Sequence, residues 1–205
     1  MKKILTIAIM ALSLPLSAWN LKAIAGLGLN RYSVPQGFTD TSSKWRIGPL
    51  IGVEKEFALG RSFAIETGLL YTEKGGKLKI ENPDLPDQSA AYACSLLAVP
   101  LQVKIDFLKK IRAYLVVGPE IALVLSHWAK IEGTDRKINL KETTAPVALG
   151  LAAGTGVEFN FKKSTFFVEI RYYAGVSNLV RQSSDLSSVH ASSIQLTVGK
   201  IFNFK

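Results

Sequence analysis

The chain is short of almost everything from which side chains build a catalytic or metal centre. It has one cysteine, Cys94, and two histidines, His127 and His190. A single thiol excludes a disulfide framework within the chain and a multi-cysteine zinc site, and so small a set of imidazoles argues against a transition-metal centre. Runs of like charge are missing too. The formal net charge is +9 at pH 7, yet Lys and Arg stand singly or in pairs among Asp and Glu, unlike the clustered basic face that nucleic acid requires. Beyond the N-terminus no apolar run reaches the roughly 18 to 20 residues of a membrane helix. Among 205 residues, 48% are hydrophobic and 20% charged, which suits one folded domain and excludes a disordered chain.

Residues 1–18 form a separate segment. Met1-Lys2-Lys3 is a basic start, Ile4 to Leu16 is an apolar run too short to span a bilayer, and Ser17-Ala18 supplies small residues at a cleavage point. This pattern predicts a secretory signal peptide over 1–18 and a mature domain over 19–205. Removal of Lys2 and Lys3 leaves a charge of about +7. A second cleavage box, Ala23-Ile24-Ala25, would cut into the first strand, so cleavage after Ala18 is expected. No small-residue box lies beside Cys94, which argues against a lipid anchor there.

What the chain does have is period-two alternation, the period of strands. From Thr165 onward Phe166, Val168, Ile170, Tyr172 and Ala174 share one face, and Phe167, Glu169, Arg171, Tyr173 and Gly175 the other. Ile65, Thr67, Leu69 and Tyr71 alternate with Glu66, Gly68 and Thr72, with Lys74 further along that second face. Leu97, Val99, Leu101, Val103 and Ile105 oppose Gln102, Lys104 and Asp106. The alternation predicts eight strands, over 21–32, 45–58, 63–78, 91–107, 112–130, 144–161, 164–178 and 190–204. Long polar connections (33–44, 79–90, 131–143, 179–189) alternate with short ones (59–62, 108–111, 162–163). Long loops therefore share one end and tight turns the other, the layout of an up-and-down antiparallel barrel with short periplasmic turns.

Alternation alone does not say which face points inward. A soluble ligand barrel hides its apolar face, and a membrane barrel turns it to lipid. Three features favour the membrane: strands long enough for a tilted span of roughly 9 to 11 residues, the expected signal peptide, and charged faces that also carry small residues. Ala148, Gly150, Ala152, Gly154 and Gly156 form an all-small face that would leave room for Tyr114, Arg171 and Tyr173 in a narrow lumen.

Ala25-Gly26-Leu27-Gly28-Leu29-Asn30 is followed by Glu66-Thr67-Gly68-Leu69-Leu70-Tyr71-Thr72-Glu73-Lys74-Gly75-Gly76-Lys77, then by Leu97-Ala98-Val99-Pro100-Leu101-Gln102-Val103-Lys104. Val117-Gly118-Pro119-Glu120, Gly154-Thr155-Gly156-Val157-Glu158-Phe159 and Glu169-Ile170-Arg171-Tyr172 complete the series. In order and spacing this resembles the outer-membrane beta-barrel domain family, often called PorT-like, abundant in Bacteroidetes-type bacteria. The resemblance implies an eight-stranded transmembrane barrel in the bacterial outer membrane and implies little about activity. One departure is the terminus, where Lys205 follows Phe204 in place of a final aromatic residue.

Glu54, Glu66, Glu120, Glu158 and Glu169 are expected in the lumen, with Lys74, Lys104 and Arg171 as partners. Such carboxylates serve a proton relay or a catalytic pair in some proteins, but buried charge must be paired in any case, and a salt-bridged plug satisfies that need. Ser126 and His127 are adjacent on a strand and so cannot act as nucleophile and base together, while His190 has serines nearby at 183–184 and 192–193. Trp45, Trp128, Tyr32, Tyr71, Tyr92 and Phe38 fall near the outer strand ends; Phe57, Phe63, Phe107, Phe159, Phe161, Phe166, Phe202 and Phe204 fall near the tight turns. Two aromatic belts are expected from this split. The Lys109-Lys110 and Lys162-Lys163 pairs read as solvated turn residues.

The expected protein is thus an all-β outer-membrane barrel with a structural or interaction role, no solute conduction, no enzyme activity, no catalytic, cofactor-binding or metal site, and no cofactor. Its expected partner is outer-membrane lipid, with the long loops or periplasmic turns open to a protein partner and no nucleic acid. The alternatives are a soluble periplasmic barrel that binds a small apolar ligand and a lipid-modifying outer-membrane enzyme.

Overall fold

In the computed structural model, which describes residues 19–33, 41–80, 88–108, 112–131, 137–162, 164–179 and 189–204, the alternating segments become strands. They are β1 (Trp19–Ser33), β2 (Thr41–Lys44), β3 (Arg46–Ala58), β4 (Phe63–Ile80), β5 (Gln88–Leu108), β6 (Ala113–Ile131), β7 (Lys137–Asn139), β8 (Val147–Phe161), β9 (Ser164–Gly175) and β10 (His190–Phe204). The eight long strands pair antiparallel with their chain neighbours, and β1 pairs β10 from Trp19↔Phe204 to Ser33↔His190, which closes the barrel. Closure leaves no long strand with an unpaired edge, the condition for a sheet in hydrocarbon.

All eight expected strands are present; β1 begins at Trp19 rather than at residue 21, and the larger differences lie at the outer ends. The β4–β5 hairpin runs past the expected limits to Ile80↔Gln88. β2 continues its edge at Lys44↔Lys77, and β7 pairs β6 at Trp128↔Asn139. Short pieces such as Thr41–Lys44 carry no apolar alternation, so nothing in their residues marks them as strands. β8 begins at Val147 rather than at residue 144 because Lys141–Thr143 turns as a 3-10 helix just ahead of it. β9 stops at Gly175 rather than at 178, where the N–H groups of Val176 and Ser177 both donate to Leu149 O and turn the chain off the ladder.

Burial settles the facing. Leu27, Ile51, Leu101, Val117, Leu151, Ile170 and Leu196 are 50–59% exposed, whereas Glu54, Glu66, Gln102 and Tyr114 are fully buried. A soluble ligand barrel would show the reverse, so the apolar face is the lipid face. Phe63, Phe107, Phe159, Phe161 and Phe202 stand exposed beside the tight turns, and Phe159 stacks on Phe166 with centroids 6.1 Å apart. At the opposite end the expected belt is corrected. Trp45 is exposed, but Tyr32 is buried and packs on Tyr92 and His127 at centroid distances of 6.4 and 6.2 Å. These two tyrosines cap the interior instead of facing lipid. Phe38 lies outside the described residues, as do residues 1–18 and Lys109-Lys110.

Candidate functional site

Among the described residues the barrel interior is where the fold concentrates chemistry-bearing side chains, and it is built by alternation from every long strand. Counted from the tight turns, the first layer centres on Lys104 of β5. Its ammonium donates to Glu56 of β3 at 2.7 Å and to Glu158 of β8, with Asp106 at 3.8 Å. Arg112 reaches Glu158 from the rim at 3.1 Å, and Asn20 donates to Glu56 at 2.9 Å.

The middle layer joins two groups. Lys22 of β1 donates to Glu66 of β4 at 2.9 Å, and Glu66 also lies 4.0 Å from Lys104. Arg171 of β9 holds Glu169 through Nε at 2.7 Å and Nη2 at 2.6 Å, and reaches Glu54 through Nη1 at 3.2 Å. The Tyr114 hydroxyl donates to the second oxygen of Glu169 at 3.0 Å. Further out, Lys74 donates to Glu120 at 2.8 Å and rests on the Tyr173 ring. Arg46 and Glu73 pair at 2.5 Å nearer the outer mouth, where both are partly exposed.

Glu54, Glu66, Glu120, Glu158 and Glu169 are thus brought together with Lys74, Lys104 and Arg171 as expected. Of the buried ion-pair members, Lys22 and Glu56 were missed, as were the more exposed Arg46, Glu73, Asp106 and Arg112 at the two ends. Lys22 lies in a run of small and apolar residues with no second charge on its face, and Glu56 lies between Lys55 and Phe57 where the alternation is blurred. The signal that finds them is register: Lys22 pairs Glu54, and Glu56 pairs Glu66.

The small face of β8 does what a narrow lumen requires. A Cβ at Gly150 would overlap the Tyr173 ring, and one at Gly156 would overlap the Tyr114 ring. Glycine is needed there for close approach, not for a special φ. Hydrogen bonding is not complete inside. Among the described residues Glu54 and Glu66 each keep one oxygen without a hydrogen-bond partner, and both amide atoms of Gln102 and the carbonyl oxygen of Gln195 are buried without one. Buried polar atoms in this state call for bound water.

The histidines do not assemble a nucleophile. A register shift between Ser95 and Leu96 separates Ser126 from the β6 residues below it, and His127 turns inward beside Cys94. Thr144 donates its hydroxyl proton to Leu140 O at 2.6 Å, so His127 Nδ1, 2.7 Å from Thr144 Oγ1, carries the ring hydrogen. Nε2 then accepts from the Tyr32 hydroxyl at 3.4 Å. His190 Nδ1 and Ser193 Oγ are buried with no hydrogen bond among the described residues, and Ser192 donates to Arg31 O at 3.5 Å. Residues 183–184 lie outside the described residues. Among the described residues no cluster of three or more His, Cys, Asp or Glu side chains is placed to hold a metal.

A closed antiparallel eight-stranded barrel with an apolar exterior and an ion-paired interior is an outer-membrane protein. The family model described as "Outer membrane protein beta-barrel domain" matches residues 13–181, and the chain belongs to this family. Among solved structures it is similar to the outer membrane protein OprG from Pseudomonas aeruginosa, with TM-score 0.52 and 8% identity over 92% of this chain and 96% of that one. It is also similar to Neisserial surface protein A, with TM-score 0.48 and 12% identity over 91% and 100% of the two chains. For Ail, the attachment invasion locus protein of Yersinia pestis, the values are 0.41 and 15% over 91% and 100%. At such identities the likeness speaks to fold alone. A search of curated proteins finds no match.

Proposed function

We propose that this protein is a non-conducting outer-membrane scaffold whose role is structural or interactive, exercised through its outer loops or periplasmic turns. The observation that carries the reading is the interior, where Lys22, Lys74, Lys104 and Arg171 are each tied across the lumen to carboxylates of other strands. An eight-stranded barrel has an interior about wide enough for its own side chains. A continuous aqueous path would require several of these buried pairs to open together, each at a cost of roughly 3 kcal/mol or more. Planar-bilayer recording of the purified barrel tests this: no discrete conductance steps are expected. Unitary steps that vanish when the same sample is heat-unfolded would overturn the proposal.

This reading assigns no catalytic group. Within the family, the ordered motifs from Ala25-Gly26-Leu27 to Glu169-Ile170-Arg171-Tyr172 support placement in the PorT-like branch. Export by residues 1–18 is part of the same proposal. Trp19 is already paired with Phe57 and Phe204, so cleavage after Ala25 would remove seven ladder positions from β1, and cleavage after Ala18 none. The intact mass of the mature protein is expected to start at Trp19; a mass starting at Gly26 would refute this.

A further inference from the structure

The lipid-facing wall is not uniform. On β1 two outward positions are filled only by Ala23 and Ala25, where the neighbouring outward positions of the same sheet carry Val53 on β3 and Phe166 on β9. The dip this leaves is a groove of about 730 Å³, with Ala23 and Ala25 along its base and Val53, Phe159 and Phe166 among its sides. Its lining is apolar apart from one charged residue, Lys200 of β10, and contains no carboxylate.

Lys200 sits at the end of the groove toward the tight turns, level with Ala23 and Phe166 in the strand register. Its ammonium lies over the Phe202 ring at 4.9 Å. One row closer to the turns Leu21 lies beside Phe202 in the register, so the cation stands at the aromatic end of the groove. A cation on an aromatic ring, with an acyl-sized apolar groove running away from it toward the bilayer centre, matches one kind of molecule. It must carry a negative group at the membrane interface and hydrocarbon beneath it.

We propose that this groove holds an anionic phospholipid of the inner leaflet, of the phosphatidylglycerol class, with an acyl chain over Ala23 and Ala25 and its phosphate on Lys200. The tight turns mark the periplasmic end of such barrels, so the leaflet that meets Lys200 is the phospholipid leaflet. The site lies on the outer wall and is independent of whether the lumen conducts. Charge selects the headgroup, and the missing side-chain volume on β1 selects this stretch of wall over the rest.

Native mass spectrometry of the folded full barrel, released from detergent after mixing with phosphatidylglycerol or phosphatidylcholine, reads the site directly. The parent protein is expected to keep one phosphatidylglycerol under activation that strips phosphatidylcholine. Lys200→Gln is expected to lower phosphatidylglycerol retention about fivefold, and Lys200→Arg to preserve it. Ala25→Leu fills the groove from a lipid-facing position and is expected to lower retention with Lys200 intact. Folding of each variant is verified by the heat-dependent mobility shift. Equal retention of the two lipids, or retention unchanged in either Lys200→Gln or Ala25→Leu, overturns the proposal.

Discussion

Replacing Arg171 with leucine is expected to destabilise the folded barrel by about 3 to 5 kcal/mol, the scale for removing one partner of a buried pair. Arg171 is the only described partner of Glu54, through Nη1 at 3.2 Å, and it holds Glu169 twice. Its loss leaves Glu169 with the Tyr114 hydroxyl and Glu54 with no hydrogen bond among the described residues. Both carboxylates would then remain charged in a site from which water is largely shut out, or take up protons at a cost of similar size. Urea unfolding in detergent measures the effect. The double variant Arg171→Leu/Glu54→Gln should recover part of the loss, since it removes the stranded charge. A loss below about 0.5 kcal/mol would show that water screens these groups and that the interior is open, against the reading of a packed lumen.

Leu101 and Gln102 offer a contrast within two adjacent residues. Leu101→Lys should cost about 2 to 4 kcal/mol of folding free energy in lipid vesicles, because the ammonium must be held in hydrocarbon or bend toward an interface. Leu101 is 55% exposed on the outer wall, paired with Thr67. Gln102→Lys should cost much less. Gln102 faces the interior beside Glu66 in the register, and Glu66 keeps one carboxylate oxygen without a hydrogen-bond partner among the described residues. The mobility shift between folded and unfolded barrel gives both values. Equal costs at the two positions would contradict the assignment of faces, and folding of the parent protein in plain buffer without lipid or detergent would contradict the membrane barrel itself.

The strands were legible because their signal is local. Phe166 to Ala174 and Leu97 to Ile105 alternate so regularly that strand type and the division into two faces follow from the residues alone, and the observed strands differ from expectation mainly at their outer ends. The size pattern was legible as well. Gly150 and Gly156 stand where Tyr173 and Tyr114 need room, and a run of small residues on a charged face signals a crowded interior. Tyr32 and Tyr92 misled for a physical reason. An aromatic residue near a strand end suits the membrane interface and the mouth of the lumen equally, and only its parity along the strand tells the two apart: Tyr32 shares that of Lys22 and Asn30, and Tyr92 that of Gln102 and Lys104.

By itself the sequence determined the class: period-two runs of membrane-spanning length, alternating long and short connections, and one face carrying charge and glycine admit little besides a closed membrane barrel. Tertiary structure alone decided who pairs with whom inside it. Glu54 and Arg171 stand 117 residues apart, and Lys104 and Glu158 stand 54 apart. Their meeting depends on the stagger at which β1 closes onto β10, a property of the whole sheet that no local pattern encodes. The groove at Ala23 and Ala25 has the same origin. Two alanines are unremarkable along β1, and they become a cleft only when the β1–β3 pairing sets Val53 on one side and closure onto β10 sets Lys200, with Phe166 beyond it, on the other.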